Sequence, residues 1–173
     1  MATKKSSSSK PIISTGSGGG KLLPWLGIAT IILLLDQLSK ITITKLMTFG
    51  QTIVITENFN LYFTFNPGAA WGFLAGQSGW QRHFFTVLGI GAAAFIIVML
   101  KKNSAQRLFC WAMSLILGGA IGNVIDRIVY GKVVDFLDVH AFGWHWPTFN
   151  VADAAICIGA GLFILDEFRR VNK

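Results

Sequence analysis

The chain has 173 residues, of which 53% are hydrophobic and only 13% charged, and its mean hydropathy is +0.56. Soluble domains carry about 25% charged residues, so this composition excludes an ordinary soluble enzyme and points to a single-domain membrane protein. The net charge of +7 does not imply a nucleic-acid partner, because the basic residues sit at the ends of apolar runs, where they set topology.

Residues 1–21 are expected to form a flexible, basic, Ser/Gly-rich tail. Ser6 to Ser9, Gly16 and Gly18 to Gly20 are interspersed there with Lys4, Lys5, Lys10 and Lys21. The apolar stretch that follows, Leu22–Leu35, has the length of a signal-peptide core, but no A-x-A-like site succeeds it. The run continues instead through Asp36-Gln37-Leu38-Ser39-Lys40, which predicts a retained helix.

A bilayer core takes about 20 apolar residues per helix. Four runs qualify, over residues 22–44, 80–100, 107–130 and 151–168. The tail lysines, Lys101, Lys102 and Arg107 between the second and third runs, and Arg169, Arg170 and Lys173 after the fourth all fall on one side. The opposite side holds at most Lys40, Lys45, Arg82, Arg127 and Lys132. The excess marks the cytoplasmic side, which places both termini inside, with residues 169–173 as a basic C-terminus, and the loops at 45–80 and 131–150 outside.

Between the first two runs, Thr52–Thr56 and Phe59–Phe65 are rich in β-branched and aromatic residues and read as two short strands joined by a turn at Glu57-Asn58. Asn66-Pro67-Gly68 is a turn signal ahead of the small, apolar stretch Ala69-Ala70-Trp71-Gly72-Phe73. The expected fold is therefore an all-α membrane protein of four transmembrane helices, with a small extracytoplasmic β-sheet between the first and second. Trp25, Trp80, Trp144 and Trp146 suit an interfacial aromatic belt. Cys110 and Cys157 lie inside apolar runs and suggest packing, not a disulfide framework. His140 and His145 lie outside any metal-ligand spacing such as H-x-x-H, so no metal and no cofactor are expected.

Four carboxylates gather toward the outer boundary on this topology: Asp36, Asp126, Asp135 and Asp153. An ionisable side chain at membrane depth costs at least a few kcal/mol and is a functional-site candidate by default. Gly118 and Gly122 form a G-x-x-x-G pair, and Gly119, Gly122, Asn123 and Asp126 share one helical face. Asn150, Asp153, Cys157 and Gly161 make a similar stripe on the fourth run. Such faces let helices approach closely in lipid. The repeated N-x-x-D pattern, Asn123/Asp126 and Asn150/Asp153, offers each aspartate an amide donor three residues earlier.

Two carboxylates facing each other cannot both ionise, so one acts as base on a water while the other donates a proton to a scissile carbonyl. Asp126, Asp135 and Asp153 compete for these two places. Asp126 and Asp153 have matching settings, but Arg127 is expected to hold Asp126 as a structural ion pair. Asp135, flanked by Val133-Val134 and Phe136-Leu137, is expected to be poorly solvated, which raises a carboxyl pKa. Spacing alone leaves the choice open. No Ser-Lys or Cys-His nucleophile presents itself on the outer side: Ser39 and Lys40 are adjacent and face different directions.

Over residues 22–168 the chain resembles the bacterial lipoprotein signal peptidase (signal peptidase II) family. Five segments carry the resemblance: Asp36-Gln37-Leu38-Ser39-Lys40; Asn66-Pro67-Gly68-Ala69-Ala70-Trp71-Gly72; Gly118 through Arg127; Val133-Val134-Asp135-Phe136; and Phe149-Asn150-Val151-Ala152-Asp153. The resemblance implies an intramembrane aspartic endopeptidase of the bacterial cytoplasmic (inner) membrane, with its site toward the periplasmic or outer face. Its substrates would be diacylglyceryl-modified prolipoproteins, cut just before the lipidated cysteine. It also implies that Asp135 and Asp153 are the catalytic pair. Asp36, Lys40, Asn66, Gly68, Asn123, Asp126, Arg127, Asn150 and Ala152 would support the site or contact substrate. A monomer among membrane lipids is expected. The rival reading is a small proton-coupled membrane transporter, which would place its carboxylates nearer the midplane and need no long outer loops. A purely structural assembly protein would leave the aspartates without a role.

Overall fold

The computed structural model describes residues 21–68 and 79–172. The expected tail and the stretch Ala69–Phe73 fall outside the described residues, apart from Lys21. In chain order the elements are α1 (Leu23–Leu46), β1 (Thr52–Thr56), β2 (Phe59–Asn66), α2 (Trp80–Lys102), α3 (Arg107–Tyr130), β3 (Val133–Ala141), β4 (Trp144–His145) and α4 (Val151–Val171). Among the described residues three helices, α1, α2 and α3, are long and apolar enough to cross a membrane. The fourth expected run is helical as well, but charges crowd its ends at Asp153 and at Asp166, Glu167, Arg169 and Arg170.

Local chemistry explains the boundaries. Pro24 lies in the first turn of α1, where a missing N–H has no consequence. Gly131 ends α3 at φ 76°, a left-handed conformation that a side chain resists. Asn150 caps α4, its side chain accepting a hydrogen bond from the Asp153 backbone N–H at 2.9 Å.

Helix α3 is the central post, packed by the other three helices. Small residues make this possible: a Cβ on Gly118 would strike α1 at Ala29 and Ile32, and one on Gly119 would strike the Ala152 carbonyl of α4. On α4 the close-approach residue is Gly159, which meets Ala112 and Ile116 of α3. Gly161, expected in that role, faces open space because it lies two residues, or about 200°, further round the helix.

The pattern along α1 is inverted relative to a soluble helix. Ala29, Asp36, Lys40 and Ile43 are buried at helical spacing, while Ile31, Leu34, Leu35 and Leu38 face outward, where lipid covers them. Two apolar clusters result. One joins Ala29, Leu100, Phe109, Cys110 and Leu117 at the cytoplasmic half of the expected topology. The other joins Ile43, Met47, Phe63, Val134 and Phe136 beneath the sheet. A polar layer of Asp36, Lys40, Asn123 and Asp126 lies between them, all buried. Cys110 and Cys157 are free thiols, the first buried and the second exposed.

The sheet departs from expectation in extent. The β1–β2 hairpin forms as anticipated, but β2 also pairs antiparallel with β3, and β3 with β4, giving the order β1-β2-β3-β4. The sheet is thus not confined to the segment between the first two helices; half its strands come from the connection between α3 and α4. Pairing Thr64 with Asp135 and Asn66 with Val133 carries the carboxylate of β3 in from the loop and onto the helix ends.

Candidate active site

Asp36 and Asp126 come from different helices and meet at Lys40. The Lys40 ammonium lies 2.9 Å from Asp36 Oδ2, 2.9 Å from Asp126 Oδ2 and 3.0 Å from Asn123 Oδ1, which uses all three of its N–H donors. Lys40 is one turn along α1 from Asp36, and a Cβ at Gly122 would land on the Asp36 carboxylate, so only glycine leaves room for the cluster. Backbone N–H groups add to the cluster. Asp36 Oδ1 accepts from the Ala152 backbone N–H at 2.9 Å, and Asp126 Oδ2 from that of Val134 at 3.0 Å. Gln37 Nε2 bridges the two carboxylates at 3.1 and 3.0 Å. Every carboxylate oxygen here accepts from at least one donor, and the assembly ties α1 to α3, α4 and β3.

This overturns one expectation. Arg127 is not the counter-ion of Asp126: one residue on, it points about 100° away around the helix. Its guanidinium donates to the Gly68 carbonyl at 3.0 Å and the Asn123 carbonyl at 3.3 Å, and it lies over the Phe85 ring at 5.1 Å from the centroid. Arg127 therefore anchors the turn after β2, which Asn66 shapes by accepting from the Gly68 N–H at 3.0 Å.

Asp135 and Asp153 are held by amides instead of a cation. Asn150 Nδ2 donates to Asp135 Oδ1 at 2.7 Å, and Asn123 Nδ2 donates to Asp153 Oδ1 at 2.8 Å. The two N-x-x-D motifs therefore do not serve their own aspartates as their spacing suggested. Each amide reaches across to a carboxylate on another element, because its own neighbour at i+3 is turned to a different partner. Asn150 joins both members of the pair, since its Oδ1 also accepts from the Asp153 backbone N–H. Among the described residues neither Asp135 nor Asp153 forms an ion pair.

Asp135 is only 1% exposed. Burial, then the neighbouring Asp153 charge, push its carboxyl up to about 7, against hydrogen bonds from Asn150 and Asn66 and the more distant charge of Lys40. Asp153 lines a cavity of about 450 Å³ together with Asn66, Gly68, Asn123, Arg127 and the segment 146–149. The walls are otherwise apolar, from Val133, Phe149, Ala154 and Ile156. An apolar cleft with one carboxylate, Asp153, on its wall and a second, Asp135, buried close by and pushed up to about 7, can bind an extended peptide and carry out acid–base hydrolysis.

All the residues singled out from the sequence as site candidates converge here, Ala152 through its backbone. Sequence reasoning missed Gln37, the bridge between Asp36 and Asp126; its place next to Asp36 in an apolar run was the available signal. It also missed a separate cluster on the sheet, Asp138 with His140 and His145, which the search for local ligand spacing could not find.

A model of the family described as signal peptidase (SPase) II matches residues 28–169. A lipoprotein signal peptidase of Janthinobacterium sp. (strain Marseille) is 64% identical over 157 residues, covering 91% of this chain and 95% of its own length. One from Ralstonia nicotianae is 57% identical across the full length of both chains. A solved bacterial membrane enzyme, determined by the in meso method at 2.3 Å resolution, superposes with a TM-score of 0.80 at 32% identity, covering 88% of this chain and 92% of that one.

Proposed function

The chain belongs to the signal peptidase II family of aspartic peptidases, and from that premise we propose that Asp135 and Asp153 are its catalytic dyad. The reaction is removal of the signal peptide from diacylglyceryl-modified prolipoproteins by cleavage just before the lipidated cysteine. The single observation that carries the assignment is the contrast in partners. Asp36 and Asp126 are engaged by Lys40, Gln37 and backbone donors, whereas Asp135 and Asp153 are held by neutral amides, with Asp153 on the wall of an apolar cavity.

Asp135, with its carboxyl pushed up to about 7, holds the shared proton and donates it to the scissile carbonyl oxygen. Asp153, on the cavity wall, is the base that takes a proton from the attacking water. Asn123 and Asn150 orient the two carboxyls. Asp36, Lys40, Asp126 and the Ala152 N–H fix the start of α4, and Arg127 with Asn66 and Gly68 shapes the cavity rim. Apolar walls exclude bulk water and strengthen each of these interactions.

The layout suits a lipid-borne substrate. With α4 as a fourth span and both termini in the cytoplasm, the dyad lies at the outer boundary of the inner membrane, where a diacylated cysteine holds its peptide bond. The signal helix enters sideways from lipid, and one chain suffices for the chemistry. Residues 1–21 act as a cytoplasmic tail outside the 22–168 peptidase domain. The test is mass spectrometry of products from a purified prolipoprotein with and without diacylglyceryl. Cleavage immediately before the lipidated cysteine, and only in the modified substrate, is expected. Equal cleavage of both forms, or none by folded enzyme, contradicts the reading.

A further inference from the structure

We propose that Asp138, His140 and His145 form a binding site for a divalent transition-metal ion of the zinc class, on the outer sheet and apart from the peptidase dyad. The register of the hairpin builds it. Asp138 and His140 are two residues apart on β3 and so share a face, and His145 lies directly opposite His140 on β4. Phe142 and Gly143, at φ 53° and 77°, make the tight turn that allows this pairing.

The potential ligand atoms of the three residues all lie within 4.8 Å of one another. Asp138 Oδ1 is 2.8 Å from His145 Nδ1, and Asp138 Oδ2 is 3.8 Å from His140 Nδ1. The imidazoles stack at 4.5 Å between centroids with 13° between planes, so the exposed His145 ring turns about its side-chain bonds to bring a nitrogen lone pair onto a shared ion. The bonding here is incomplete. His140 Nδ1 and Asn60 Oδ1 are both buried and lack a hydrogen-bond partner among the described residues. In a neutral imidazole Nδ1 can be a lone-pair donor, and here it confronts a carboxylate oxygen. Zinc bonds to nitrogen and oxygen are about 2.0–2.2 Å long, so an ion set between atoms 3.8 Å apart reaches both with little movement.

The surroundings meet the other requirements of a metal site. Asn60 Nδ2 donates to Asp138 Oδ2 at 2.9 Å and orients the carboxylate, as outer partners of metal ligands do. The backbone of His140 is fixed on both sides, its N–H donating to the Asn58 carbonyl and its carbonyl accepting from Asn58 Nδ2. Asp138 and His145 open onto a cavity of about 460 Å³ that also reaches Thr52, Asn60 and Tyr62, which gives an ion access. Two imidazoles and one carboxylate favour zinc, copper or nickel over magnesium or calcium, and leave a fourth position for solvent. Residues 146–148 line both this cavity and the peptidase cavity, so a bound ion stiffens the wall they share.

The test is calorimetric titration of zinc chloride into full-length, tag-free protein in detergent after chelator treatment, beside His145→Ala, His140→Ala/His145→Ala and Cys157→Ser. His145 is 55% exposed, so its removal leaves the fold intact, which circular dichroism checks. One equivalent of zinc should bind the wild type and Cys157→Ser alike and raise the unfolding temperature of both. His145→Ala should bind about tenfold more weakly or worse, and the double variant should show no saturable binding. Absence of stoichiometric binding to the wild type, equal binding by the double variant, or loss of binding in Cys157→Ser would each overturn the proposal.

Discussion

The two carboxylate pairs at one end of the helices differ in their partners, and on the proposed function that difference separates scaffold from chemistry. Asp36 and Asp126 share the ammonium of Lys40 and accept from main-chain N–H groups, so both are fixed in place within an ion-pair cluster. Asp135 receives side-chain amides from Asn150 and Asn66 and Asp153 one from Asn123, and no cation contacts them among the described residues. A lysine fixes a carboxylate in its ionised form; a neutral amide positions it and leaves its proton exchangeable. On that reading one chain uses the same residue type twice, with the neighbours deciding the role.

The largest effect should come from removing the cation. Lys40→Met leaves two buried carboxylates without a counter-ion, and breaking a buried pair in this way costs about 3–5 kcal/mol. The expected result is a large fall in unfolding temperature and in folded yield, read by thermal denaturation in detergent. A stable Lys40→Met enzyme would erase the distinction between the pairs.

Asn150→Ala should act on both members of the dyad at once. Hydrogen bonds to charged groups are worth about 1.5–3 kcal/mol, so kcat should fall by roughly 10- to 100-fold. Loss of the cap should also destabilise α4 by about 1 kcal/mol. Because the Asn150 hydrogen bond favours ionised Asp135, its loss raises that pKa further, and the alkaline limb of the pH–rate profile should move upward. A limb that stays in place while the rate falls would make Asn150 structural only.

In the wild type, activity should decline as pH rises through about 7, when Asp135 loses the proton it donates. Stability should follow the same sign. A carboxyl whose pKa is raised by folding stabilises the native state fully below the unfolded value and loses that contribution as pH rises through the folded value. Between about pH 4 and 7 the wild type should therefore lose stability relative to Asp135→Asn, a difference thermal unfolding across that range can measure.

Much of this was legible in the chain itself. The apolar runs give α1 to α4 within a few residues, and the β-branched and aromatic stretches give the first hairpin, because both signals are local. The burial of Asp135 was legible from Val133-Val134 and Phe136-Leu137 around it. Long-range partners were not. β3 pairs with a strand on the far side of two helices, and Lys40 reaches Asp126 across the bundle, while the tempting neighbour Arg127 points elsewhere. The asparagines misled for the same reason: spacing reports who is adjacent on a helix, not which element packs against it. For the choice of dyad, family resemblance supplied what spacing could not.

The most direct measurement is cleavage of a diacylglyceryl-modified prolipoprotein by Asp126→Asn, Asp135→Asn and Asp153→Asn beside the wild type, each checked for folding. Folded but inactive Asp135→Asn and Asp153→Asn are predicted, with rates down by at least about 10²–10⁴, and an Asp126→Asn that either cleaves or fails by misfolding. Normal cleavage by Asp135→Asn, with a folded and inactive Asp126→Asn, would contradict the account and make Asp126 the partner of Asp153.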